Sequence, residues 1–185
     1  MIKGKRITLR GYELDDVDTI LQHFNDVEVR RGLGRLAPIS REEEEQWIRN
    51  GWEARKKGTE YVFAIELNEN NQLIGSCSLF DISRIHRKAE VGIAIYDKGY
   101  WSQGFGQEAL KLLLCYGFNF LNLHSIFLTV LEDNVRAIRA YEKIGFKHTG
   151  RTREAVYQNG KYIDLLVMDI LEDEFRKLHP EIKIL

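Results

Sequence analysis

Cysteine, proline and an excess of charge of one sign are all scarce in this sequence. Only 2 of its 185 residues are Cys. These, Cys77 and Cys115, lie far apart, with no second Cys or His at metal-ligand spacing. A disulfide scaffold is therefore not what organises the chain, and both thiols are expected to be reduced and buried. Proline is also limited to 2 residues, Pro38 and Pro180, and no Gly/Ser-rich linker, repeat or low-complexity tract divides the chain. One domain over residues 1–185, with a core of about 5–172, is expected. The formal net charge is -1, so the basic excess of a general nucleic-acid binder is missing. No apolar run is long enough to cross a membrane. The first residues, "MIKGKRITLRGY", alternate instead of forming the apolar stretch of a signal peptide. Together these absences predict a cytoplasmic protein without bound metal and without a nucleic-acid or membrane partner.

What is present is an ordinary globular composition, 44% hydrophobic and 30% charged. Residues Arg6–Tyr12 alternate as a half-buried strand would, with Ile7 and Leu9 on one face. A helix follows, capped by Asp15 or Asp16, with Val17, Ile20, Leu21 and Phe24 as its apolar stripe. Ser40 and Glu43 have the spacing of a capping box, so a second helix is expected from Ser40, carrying Trp47, Ile48 and Trp52. The Glu42–Glu45 run suits the start of that helix. Thr59–Leu67, Leu73–Ile82 and Ala89–Tyr96 read as three strands joined by short polar turns, an antiparallel meander. A strong helix is predicted from Gln107 to about Leu121, then a buried strand at Ser125–Leu131. Asp133 or Asn134 caps a short helix ending before Gly145. Arg151–Gln158 and Lys161–Ile170 flank Asn159–Gly160, the strongest hairpin signal in the chain.

The segment Gly99–Gly106, "GYWSQGFG", joins a strand directly to a long helix. A helix start carries unpaired amides and a partial positive charge. Gly104 and Gly106 would let a phosphate approach those amides without a Cβ in the way. Either this is an anion site, with a phosphate ester as the ligand, or it is a plain strand-to-helix turn. It lacks the Lys-Ser/Thr ending of a P-loop and the third glycine of a dinucleotide fingerprint.

With this loop the chain resembles the GCN5-related N-acetyltransferase (GNAT) family, in particular the branch of ribosomal-protein N-terminal and spermidine acetyltransferases. The likeness runs over nearly the whole chain and is densest in "HRKAEVGIAI", "GYWSQGFGQEAL", "LEDNVRAIRAYEKIGF" and "YQNGKYIDLLVMDIL". It implies a single-domain α/β (α+β) fold. Its sheet would be mixed, twisted and mostly antiparallel, with helices on both faces, and would splay between the strands ending near Tyr96 and beginning near Ser125. It implies acetyl-CoA as co-substrate. The pantetheine arm would pair with backbone at Ile93, Ala94 and Ile95 as an added strand does. The pyrophosphate would sit on the loop Trp101, Ser102, Gln103, Gly104, Phe105 and Gly106, through the amides of the last four. The family loop often opens with Gln or Arg where this chain has Trp101.

Asn134 and Tyr141 lie about two turns apart on one helix face. From the residues alone Asn134 is a cap and Tyr141 a core residue. The resemblance instead implies that Asn134 touches the cofactor arm and that Tyr141 protonates departing CoA. Moving a proton from an unperturbed tyrosine to a thiolate is uphill by roughly 2 kcal/mol, so Tyr141 must be perturbed or act mainly as a hydrogen-bond donor. Glu90 is either the base that takes the amine's proton or an outward-facing charge. The acceptor is expected to be a primary amine, on a small molecule or a protein N-terminus. Arg30, Arg31 and Arg35, where polyamine enzymes carry acids, are either surface charges or point to an acceptor bearing negative groups. With no base assigned to either cysteine, direct transfer is expected over a covalent intermediate. A non-catalytic acyl-CoA sensor is the competing function, and the resemblance makes a homodimer an ordinary assembly.

Overall fold

The computed structural model describes residues 1–27, 29 and 37–182. Eight strands form one sheet in the order β1-β2-β3-β4-β5-β6-β8-β7. They are β1 (Ile2–Lys3), β2 (Ile7–Arg10), β3 (Tyr61–Leu67), β4 (Leu73–Ser83), β5 (Lys88–Ile95), β6 (Ser125–Leu131), β7 (Lys147–Gln158) and β8 (Lys161–Leu171). All neighbours are antiparallel except β5 and β6, which run parallel. The predicted meander is β3, β4 and β5, and the predicted hairpin is β7 and β8. Asn159 and Gly160 turn that hairpin, both with positive φ (52° and 79°), as a two-residue loop requires.

Helices cover both faces. On one, α1 (Val17–Phe24) and α2 (Arg41–Lys57) bury Val17, Ile20, Phe24 and Ile48 against Val62, Ala64 and Tyr96. On the other, α3 (Phe105–Phe120) buries Leu110, Leu113, Leu114 and Phe118 against Ile7, Ile65, Leu79, Val91 and Ile126. Helices α4 (Val135–Ile144) and α5 (Glu172–Leu178) complete this side with Ile144 and Phe175. The double cover explains why β3 buries Val62 and Ala64 as well as the face read from its alternation. Gly117 lets α3 lie close to the sheet: a Cβ there would fall 2.9 Å from Ile126 Cδ1.

Two sequence expectations need correction. Asp16 does not cap α1 with its side chain. Arg10 claims it instead, donating from Nη1 and Nη2 to the Asp16 carboxylate at 2.8 Å each, which ties the start of α1 to β2. Helix α3 begins at Phe105, two residues before Gln107, because Gly104 takes the N-cap position. Strand β1 and helix α5 are additions that weak local patterns do not announce. Both cysteines are free and buried, as expected. No helix among the described residues is long and apolar enough to cross a membrane.

Candidate active site

Strand β5 organises the site because its two edges have different fates. Along β4 it is paired from Lys88 to Ile95. Along β6 its pairs stop at Lys88–Ser125, Ala89–Ile126 and Glu90–Phe127. Beyond Glu90 the strands diverge, while β6 goes on pairing with β8 up to Leu131. The Tyr96 amide donates to the Ile74 carbonyl at 2.8 Å. By the alternation of an antiparallel ladder, Ala94 and Gly92 also turn their main-chain groups to β4. Val91, Ile93 and Ile95 turn theirs to the other edge, into the opening. The Arg87 carbonyl, on the same edge, accepts from His124 at 2.6 Å where β6 is still adjacent. Ile93 and the amide of Ile95 thus offer strand-pairing groups at the gap, the Ile95 carbonyl being taken by Trp101 Nε1, whereas Ala94 is engaged on the far side.

Where β5 ends, a short turn of 3-10 helix (Lys98–Tyr100) leads into the glycine loop. Ser102 and Gly104 both have positive φ, 60° and 84°, and this reversal brings the chain into α3. Gly104 is the N-cap of α3 and provides no side-chain cap. The first-turn amides of a sixteen-residue helix are therefore left without a capping oxygen. At Gly106 the helix start packs on β5: a Cβ there would stand in ordinary contact, 3.7 Å from Ile93 Cδ1 and Ile95 Cγ1.

A brace from a distant part of the chain holds this loop. Arg6 Nη1 donates to the Gln103 carbonyl at 3.0 Å, and Arg6 Nε donates to Glu108 at 3.0 Å. The guanidinium carbon lies 4.2 Å from the Phe105 ring centroid. Trp101 is held too: its Nε1 donates to the Ile95 carbonyl at 2.8 Å, and the Arg136 guanidinium covers its ring at 3.6 Å. Neither arginine was singled out in the sequence, because each acts far from the loop in chain order.

Across the gap stands α4. Asn134 Oδ1 accepts from the Ala137 amide at 3.2 Å, so it does cap the helix. At the other end Gly145 (φ 115°) and Phe146 donate their amides to the Tyr141 carbonyl at 3.1 Å, which fixes where Tyr141 stands. Tyr141 is half-buried against the α3-side core, and no described residue hydrogen-bonds to its hydroxyl. Burial pushes that hydroxyl up to about 12. A hydroxyl raised in this way holds its proton and is suited to donating a hydrogen bond more than to giving the proton up.

Glu90 stands at the fork, the last β5 residue paired with β6. Ala89 and Val91 point into the α3-side core, so Glu90 points to the opposite face, toward the side of α1 and α2. It is half-buried and accepts from Thr129 Oγ1 at 3.2 Å. Burial raises its carboxyl above the usual range, Thr129 partly offsets that, and the Asp81 charge adds to it. The cysteines have no part here: burial pushes the Cys77 thiol up, and Cys115 donates to the Ile182 carbonyl at 3.4 Å. Arg30, Arg31 and Arg35 lie outside the described residues.

Known proteins share the fold and much of the sequence. The family model for the acetyltransferase (GNAT) domain matches residues 6–147. An uncharacterized N-acetyltransferase, p20, of Bacillus licheniformis is 30% identical over 173 residues, which cover 92% of this chain and 96% of that protein. A spermidine N(1)-acetyltransferase of Vibrio cholerae serotype O1 is 37% identical over 113 residues, 61% of this chain and 64% of that one. The crystal structure of spermidine N-acetyltransferase from Vibrio cholerae, in complex with CoA and spermine, superposes with a TM-score of 0.83 at 30% identity. That superposition covers 93% of this chain and 99% of that one. With its splayed sheet, its uncapped glycine-led helix and a family match over most of its length, the chain belongs to the GNAT acetyltransferase family.

Proposed function

We propose that the protein is an acetyl-CoA-dependent N-acetyltransferase that moves the acetyl group directly to a primary amine. One observation carries this reading: the pairing of β5 with β6 stops at Glu90–Phe127, and the same strand leads to a helix whose first turn has no cap. A thioester cofactor with an amide-rich arm and a diphosphate needs those two features next to each other. The arm pairs with the free edge at Ile93 and Ile95, and the diphosphate takes the amides of Gln103, Gly104, Phe105 and Gly106. Trp101 and Ser102 shape the loop, Ala94 backs the strand from the β4 side, and Asn134 holds the start of α4 against the arm.

The chemistry follows from where the remaining groups stand. The neutral amine attacks the acetyl carbon from the α1/α2 side, the carbon–sulfur bond breaks, and CoA leaves as thiolate. Glu90 takes the proton the amine loses, directly or through water. The Tyr141 hydroxyl donates a hydrogen bond to the developing thiolate. No cysteine is placed to form an acyl-enzyme. For the acceptor, a small-molecule amine is supported by the named activity of the Vibrio cholerae relatives. Asp81 also adds to the raised carboxyls of both Glu60 and Glu90, so this side of the sheet carries a negative field that favours a cationic molecule.

An amine panel tests the proposal: polyamines, amino acids, aminoglycosides and N-terminal peptides, assayed by thiol release from acetyl-CoA. Turnover with at least one primary amine is expected. Tight CoA binding with no turnover on any amine would favour the sensor function instead, and no CoA binding would overturn both.

A further inference from the structure

Resting on the acetyl-CoA reading, we infer that Arg136, laid on the ring of Trp101, supplies the cation that grips the cofactor's diphosphate at the mouth of the gap.

A diphosphate brings more negative charge than a helix start can balance. The aligned peptide dipoles of α3 amount to about half an elementary charge. The loop itself, Trp101–Gly106, contains no Lys or Arg. Lys98, just before it, pairs with Asp26 at 2.9 Å. Arg6 is close, but its charge is already paired with Glu108 and its Nη1 with the Gln103 carbonyl, so it acts first as the brace of the loop.

Arg136 is the opposite case. It is exposed in the first turn of α4, and no described carboxylate or carbonyl accepts from it. The acids next to it in the chain are drawn away toward the β7–β8 hairpin. Glu132 pairs with Arg151 at 2.7 Å and Asp133 with Lys161 at 3.8 Å. What fixes Arg136 is the indole beneath it, 3.6 Å from guanidinium carbon to ring centroid. A ring face holds a guanidinium in place while leaving its in-plane N–H donors pointing outward, the geometry that phosphate oxygens accept in pairs.

Trp101 is in turn anchored to the free edge of β5 through the Ile95 carbonyl. Trp101 comes from the lip of the gap that follows β5, and Arg136 from the lip that follows β6. Their contact spans the mouth at the end where the uncapped amides of α3 begin. By taking the Ile95 carbonyl, Trp101 also ends the strand-like edge there, so an arm lying along β5 passes from main-chain pairing to phosphate recognition at this point.

Equilibrium titration of the whole protein with CoA, 3′-dephospho-CoA and pantetheine separates the roles without needing the acceptor. Arg136→Gln is expected to weaken CoA and 3′-dephospho-CoA alike, by about tenfold, the worth of one charge-assisted contact. Pantetheine, which ends before the phosphates, should bind the variant as it binds wild type, and Arg136→Lys should recover part of the loss. Since Arg136 is exposed, the variant should melt with wild type. Trp101→Leu should reproduce the Arg136→Gln pattern for CoA. Equal weakening of pantetheine, a penalty that disappears with 3′-dephospho-CoA, or unchanged CoA affinity would each overturn the inference. If wild type itself does not prefer CoA to pantetheine, the cofactor reading fails and takes this inference with it.

Discussion

Two helices of this protein begin in opposite ways. Helix α2 is closed by its own sequence: the Glu43 amide donates to Ser40 Oγ at 3.3 Å, and the Ser40 amide donates to Glu43 Oε2 at 2.8 Å. Its first turn also carries Glu42, Glu43 and Glu44, all of the sign a helix start prefers. Helix α3, nearly as long, begins at a glycine in the left-handed region with no side-chain cap. Around it are an arginine brace, an indole and a strand edge from which β6 has parted. One terminus is finished by protein atoms and serves stability alone. The other lacks that cap, at a cost of about 1 kcal/mol, and in the proposed function it is where the cofactor binds.

Giving α3 the cap it lacks should have the largest effect. In Gly104→Asp a carboxylate takes the N-cap, where Asp tolerates positive φ better than most residues. CoA affinity should fall by about a hundredfold or more, because the ligand now meets a like charge at the terminus. The melting temperature should stay within a few degrees, since the gained cap offsets backbone strain. Titration calorimetry and a thermal melt together check this; unchanged CoA affinity would mean that the open terminus is not the binding site.

Next in size is Tyr141→Phe, which separates grip from chemistry. It should lower kcat by about tenfold to a hundredfold while leaving CoA affinity unchanged, as removal of a transition-state hydrogen bond does. Steady-state kinetics with the best acceptor decide it, and unaltered kcat would remove Tyr141 from the mechanism.

Ser40→Ala tests the closed terminus. It should cost about 1 kcal/mol of stability, read by urea denaturation, with CoA affinity untouched. A change in CoA affinity would show that the two termini are not independent.

The smallest effect is a pH dependence at Glu90. Burial raises its carboxyl in the folded state, so its charged form is disfavoured by folding. Its contribution to stability is fully present below the unfolded carboxylate range and is lost as pH rises through the raised folded value. Glu90→Gln should therefore melt at or slightly above wild type at pH 7 and with wild type at pH 4, although its turnover falls. A variant less stable than wild type at pH 7 would mean the carboxylate's bond to Thr129 outweighs its burial.

The sequence announced what depends on neighbours in the chain. The Ser40–Glu43 spacing, Asn159–Gly160 and the position of Gly145 each located a terminus or turn because the signal lies within four residues of its effect. The glycine loop was visible for the same reason, and four motifs in order pointed to the family that the chain belongs to. What stayed hidden acts over distance. Arg6 braces a loop 97 positions away. Asp16 shares its carboxylate between the Glu13 amide and Arg10. Arg136 belongs to one motif and completes another. That Ala94 faces β4 while Ile93 and Ile95 face the gap is a matter of strand parity, which needs the register of β4 against β5 and not the sequence of either.

Amide hydrogen exchange with and without CoA tests the uneven use of the two termini most directly. Protection should appear at Gln103–Gly106 and at Ile93 and Ile95 when CoA is added, while the first turn of α2 after Ser40 exchanges as before. Protection confined to other parts of the chain, or none at the start of α3, would contradict the claim that its open amides hold the cofactor.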